Sequence, residues 1–352
     1  MTQLRLTIAS KVSQYRAVFF QRLFGSSSQM IAAEPEESRL QRPKRSIGWI
    51  HVFVSILFVM FYGFLLYQGY KTWDFSALRT IQFDIGGILA ASLMQMIGYI
   101  GIVYLWGRIL LWLGYPLHFL QHLKIYAYSG LAVKLPGFFW GIATRVYLYS
   151  RYNVAKSAVG VASAIELLAI SVASAALCLI IATLNPQIAI FLPSYAIILA
   201  CTVCGVFTHP KVLRFALARV LSPALNQALE ALPWSKMLLL IAGHMSIIAL
   251  GGLCLFSIVS AFVGIKLALL ATIVQTWALT VLWSSFLVWL PVDFGLGQGP
   301  FLVIFATMFP APIVGVLWLV WRIWFNAIEL IWGAVGFTIA LTVEHKAKRA
   351  AT

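Results

Sequence analysis

The sequence predicts an all-α integral membrane protein: a polytopic helix bundle of about six full spans plus two re-entrant helical hairpins, related by an inverted repeat. Three observations predict it. Of the 352 residues, 62% are hydrophobic and only 10% are charged, whereas a soluble domain has about 45–50% apolar and about 25% charged residues. Apolar runs recur from residue 48 to residue 343, many of them near the roughly 20 residues that a helix needs to cross a bilayer. Two of these runs end in the same break, S-x-x-x-V-x-L-P, at 129–136 and 284–291.

In chain order, residues 1–47 form a basic N-terminal tail with eight Lys/Arg and three Glu. Leu4, Ile8, Val12, Tyr15, Phe19 and Leu23 recur at helical spacing there, so an amphipathic helix on an anionic membrane surface is expected. A solvated tail is the alternative. Residues 25–47 read as a linker. The domain 48–343 then holds apolar runs at 48–70, 85–107, 117–135, 154–184, 188–207, 236–263, 266–290 and 312–343. The more polar stretch 210–233, with Lys211, Arg214 and Arg219, reads as a cytoplasmic surface helix. A short basic tail, 344–352, closes the chain.

Charge sets the orientation. The net charge of +15 is concentrated in the N-terminal tail, the 209–236 connection and the C-terminal tail. All three are expected on the cytoplasmic side, which puts both termini inside. Anionic lipid explains this basicity better than nucleic acid does, given the apolar content. Arg108, Lys124, Arg151 and Lys156 bracket the first break on the same side. A re-entrant hairpin over 117–152, with its tip at 134–137, satisfies that placement. By the same logic 266–311 enters from the other side with its tip at 291–299. Each half then has three spans and a hairpin, in opposite orientation, the architecture of many secondary transporters.

The candidate site residues follow from that geometry. Pro136, Gly137 and Pro291 break the helices at the tips. Lys134 and Arg145 flank the first tip, where a following helix N-terminus would add N–H groups for an anion such as a lipid phosphate. Snorkelling of both side chains to the interface is the alternative. Asp293, Gly295 and Gly297 form the second tip, where glycines permit close backbone approach. Glu166 and Arg322 lie at matching positions after the two breaks, inside apolar runs where a charge is costly and marks function by default. Arg322, Asn326 and Glu329 share one helix face. An Arg322–Glu329 or Arg322–Glu166 pair that only locks helices is the structural alternative. His118 and His122, four apart, have no carboxylate beside them and read as packing. Cys201 and Cys204 lie in an apolar run and read as small hydrophobes. No catalytic residue, metal site or cofactor is assigned.

The order Lys134-Leu135-Pro136-Gly137, Arg145, Glu166, and then Leu290-Pro291, Gly295-Leu296-Gly297, Arg322, resembles the lysylphosphatidylglycerol synthase transmembrane (flippase-like) family over roughly residues 48–343. The resemblance implies a lipid translocase or lipid-binding transport protein of the bacterial inner membrane, handling a phospholipid or a polyprenoid or hopanoid-type lipid. Gln298-Gly299 stands where the family often has Arg-Glu, and Leu167 follows Glu166 where an Arg is common, so those charges are not carried over. Only nine residues follow Val343, so the family's soluble aminoacyl-transfer domain has no counterpart in this sequence. The rival reading is a membrane enzyme, or an enzyme's partner, that transfers an aminoacyl or glycosyl group to lipid. Expected partners are membrane lipid with an anionic headgroup, a lipid-modifying enzyme and a second copy of the chain, with no nucleic acid.

Overall fold

The computed structural model describes residues 81–133, 139–184, 194–217, 221–287 and 296–351, together with Met60, Ser76 and Arg79. The N-terminal tail, its amphipathic stripe and the expected span 48–70 lie outside the described residues, as do Lys134, Pro136, Gly137, Pro291, Asp293 and Gly295. Everything below concerns the compact unit Asp74–Thr352.

This unit is helical, with no strand among the described residues. Its α-helices are α1 (Ile85–Trp112), α2 (Phe119–Val133), α3 (Phe139–Ser150), α4 (Lys156–Leu184), α5 (Ser194–Thr208), α6 (Pro210–Leu217), α7 (Pro223–Glu230), α8 (Trp234–Val263), α9 (Leu270–Leu287), α10 (Gly299–Met308) and α11 (Ala311–Ala351). Among the described residues, five helices are long and apolar enough to cross a membrane: α1, α4, α8, α9 with the 3-10 turn before it, and α11. The bent pair α5–α6 makes a sixth if it counts as one span. The chain is thus a helical membrane bundle of the multi-pass kind.

The boundaries follow local chemistry. Asp84 caps α1 by accepting from the Gly86 and Gly87 N–H groups at 2.9 and 3.1 Å, which satisfies two of the donors a helix leaves open at its start. α8 stops at Gly264, whose φ of +62° is left-handed and costs glycine nothing. Pro210 breaks the run from α5, and the axis turns by 79° into α6. The single surface helix expected over 210–233 is two short ones, because Ser222 caps a new helix that starts at Pro223. At the other end, α11 continues through Ala351, so the backbone of the expected C-terminal tail is helical. Residues 344–351 contain neither Gly nor Pro to stop it.

α1 and α8 form the central pair and run antiparallel. A Cβ on Gly87 would stand 3.0 Å from Ala261 Cβ, the Cys254 thiol donates to the Ala91 carbonyl at 3.3 Å, and Gly101 and Gly243 abut Ile247 and Leu105. Small residues at such interfaces let backbones approach where apolar burial gives no advantage over lipid. The tightest approach is α8 on α9, where a Cβ added to Gly252 would lie 2.7 Å from Val274 Cα. Around the central pair, α2 packs on α3 and α11, while α9 packs on α10 and α4. The Gln275 side chain on α9 donates to the Cys178 carbonyl of α4 at 3.3 Å.

α2 and α3 are 15 and 12 residues long, or roughly 22 and 18 Å, against a hydrocarbon core of about 30 Å. α10, at 10 residues, is shorter still. The sequence run 266–290 differs from expectation in one respect: with its 3-10 turn, Leu267–Leu287 has the length of a full span.

Candidate functional site: an aromatic-caged ion pair and a second, unpaired arginine

α2 presents His122, Tyr126 and Ser129 on one face, at steps of four and three residues. α1 supplies Trp106, α3 supplies Arg145 and Tyr149, and α4 supplies Glu166. The Arg145 guanidinium binds the Glu166 carboxylate at 2.8 Å, and the two side chains are only 15% and 10% exposed. Tyr126 donates its hydroxyl to the other Glu166 oxygen at 3.3 Å. Arg145 Nε donates to Ser129 Oγ at 3.3 Å, while that hydroxyl donates to the Tyr126 carbonyl at 2.9 Å. The guanidinium also lies between two rings, 4.4 Å from the Trp106 centroid and 4.2 Å from that of Tyr126. Arginine suits this position because its planar fork can both stack and pair with a carboxylate.

A neutral relay backs the cage. Trp106 Nε1–H, a donor only, binds the Tyr149 hydroxyl at 2.7 Å. The Tyr149 oxygen therefore accepts from Trp106, and the same hydroxyl is hydrogen-bonded to His122 Nδ1, 2.8 Å away. Gly107 makes room for the imidazole, since a Cβ there would come within 2.9 Å of it. His122 is thereby engaged with Tyr149 inside the packing, as the sequence led one to expect of the His118–His122 pair for this member.

Tyr99 of α1 stands edge-on to Tyr126, ring centroids 6.0 Å apart. Its buried hydroxyl has no hydrogen-bond partner among the described residues. It lines a small, partly open cleft with Gly130, Glu329 and Gly333. Here α2 and α11 run antiparallel and close together: Gly130 abuts Glu329, Gly333 abuts Ala127 and Gly336 abuts Leu123. Continuing that register places Val133, the last residue of α2, opposite Asn326.

The structure thus brings Arg145 and Glu166 into direct contact and sets Glu329 beside Tyr99, one ring away from them. Arg322 is elsewhere. Its guanidinium lies over the Trp318 ring at 5.7 Å and has no ion pair among the described residues. Neither structural alternative for it, a pair with Glu166 or with Glu329, is formed. Asn326 donates its amide to the Arg322 carbonyl at 2.6 Å. At the second break, Ser284 donates to the buried Gly297 carbonyl at 3.0 Å, tying the end of α9 to the turn that leads into α10.

Trp106, His122, Tyr126, Ser129 and Tyr149 escaped the sequence reading as members of a polar cluster. The signal that could have found them is polar-aromatic residues at helical steps inside apolar runs, above all the His122, Tyr126, Ser129 stripe. No protein-family model, curated protein or solved structure matches the chain.

Proposed function

We propose that the chain is an integral membrane lipid translocase or lipid-binding transport protein, in keeping with its likeness to the lysylphosphatidylglycerol synthase transmembrane family. One observation carries the reading: α2 and α3, packed on each other, are both too short to cross, and they carry a caged ion pair against the long helices. Short antiparallel helices beside a buried charge are what a re-entrant hairpin needs, since interrupted backbone at membrane depth requires protein or a wet cavity around it.

The packing also supports an inverted repeat. Exchange α1 with α8, α2 with α9, α3 with α10 and α4 with α11. Every substantial contact among these eight helices then maps onto another that is present: α2–α11 onto α9–α4, α1–α2 onto α8–α9, α3–α4 onto α10–α11, and α1–α4 onto α8–α11. The equivalent helices α1 and α8 run antiparallel, as oppositely inserted halves must. In this reading Lys134 and the residues around the two breaks line the lipid path, and both termini are cytoplasmic in a bacterial inner membrane.

The test is flipping of a fluorescent phospholipid in vesicles that contain the purified full chain. Lys134→Ala is expected to abolish flipping while the protein still inserts. Vesicles in which the unaltered chain moves no lipid would remove the translocase reading.

A further inference from the structure

Arg322 follows the first residue of α11 by eleven positions, roughly 16 Å along the axis, inside the apolar stretch Ala311–Ile339. A charge at that depth is unfavourable by about 2.5–3.5 kcal/mol on insertion scales unless something compensates it. Arg145 has its compensation in the protein: a carboxylate, a serine hydroxyl and two rings. Among the described residues Arg322 has the Trp318 ring and no carboxylate. Arg322 therefore lacks, among the described residues, the anion that would offset its charge.

The exchange of halves shows where that anion does not come from. In the first half the long helix α4 bears Glu166 and the short helix α3 answers with Arg145. In the second half the long helix α11 bears Arg322, and the short helix is α10, GPFLVIFATM, which has no ionisable side chain. α2 does not supply one either: its described residues, Phe119–Val133, include no acidic side chain. Beside Arg322, Leu319 and Ile323 are 50% and 61% exposed and present apolar surface to lipid.

We propose that Arg322 is the headgroup site of this protein and binds the phosphate of a membrane phospholipid, with Trp318 beside it. The guanidinium fork matches a phosphodiester's two free oxygens, and acyl chains would lie along the exposed apolar face of α11. The assignment rests on the lipid-handling reading above but does not require movement of the lipid.

The experiment titrates phosphatidylglycerol into the detergent-solubilised full chain and reads bound lipid by native mass spectrometry, with and without millimolar inorganic phosphate. Arg322→Gln is expected to weaken binding about tenfold or more. Arg322→Lys, which keeps the charge and loses the fork, should weaken it several-fold and remains informative if the glutamine variant is not recovered. Inorganic phosphate should not displace the lipid; displacement would make this a site for free phosphate. Wild-type affinity in Arg322→Gln, or in Arg322→Lys, overturns the proposal. Flipping assays on the same proteins separate the two readings. Lost flipping with intact binding removes Arg322 as the headgroup site and leaves the translocase. Intact binding to the unaltered chain without any flipping does the reverse.

Discussion

Arg145 and Arg322 both lie among apolar helices, and the described residues treat them in opposite ways. Arg145 is engaged by the protein: ion-paired, hydrogen-bonded and set against two rings. Among the described residues Arg322 has a single indole face at 5.7 Å. A buried cation held by a carboxylate serves architecture, because that pair would have to be broken before a ligand could use it. One without a counter-charge is available to a ligand. The comparison teaches that intramembrane charge by itself does not identify a binding residue; the state of its partners does.

The largest expected effect tests the ion-paired arginine. Glu166→Gln or Arg145→Met alone leaves the partner's charge buried and unpaired, and should cost about 3–5 kcal/mol. The thermal unfolding midpoint in detergent should fall clearly for either single variant. The double variant Arg145→Met, Glu166→Leu should recover much of the loss. A double variant that is worse than both singles would mean that the cage is not a self-contained pair.

Next in size is Gly252→Ala. Its new Cβ would press on Val274 Cα at 2.7 Å and force α8 and α9 apart, for about 1–3 kcal/mol. The same thermal measurement reads it, and an unchanged midpoint would show that this contact gives way easily. Tyr126→Phe keeps the ring over Arg145 and removes only the 3.3 Å bond to Glu166, so a loss of about 1 kcal/mol is expected. Smallest of all should be the loss from Arg322→Gln, whose side chain breaks no ion pair among the described residues: about 0.5 kcal/mol or less. Destabilisation by Arg322→Gln as large as that from Arg145→Met would collapse the contrast between the two arginines.

Much of this was legible in the chain. Ile85, Lys156, Trp234 and Ala311 open helices within a few residues of where the apolar runs begin, because a run of that length in lipid has no alternative to hydrogen-bonding within itself. Glu166 could be singled out because a charge in an apolar run stands out on composition alone, and Arg145 because it flanks the first break. Their pairing with each other could not be read. Glu166 and Arg322 look like natural mates at matching depth, and only the packing of α3 against α4 hands Glu166 to Arg145 instead.

What the sequence determined by itself is the class of protein and the places where helices begin, break and stop, since hydropathy, proline, glycine and caps act through the local backbone. What only the tertiary structure decided is which charge meets which. Pairing depends on helix neighbours and register, set by close-packed positions such as Gly87, Gly107 and Gly252 that are distant in sequence from the charges they bring together.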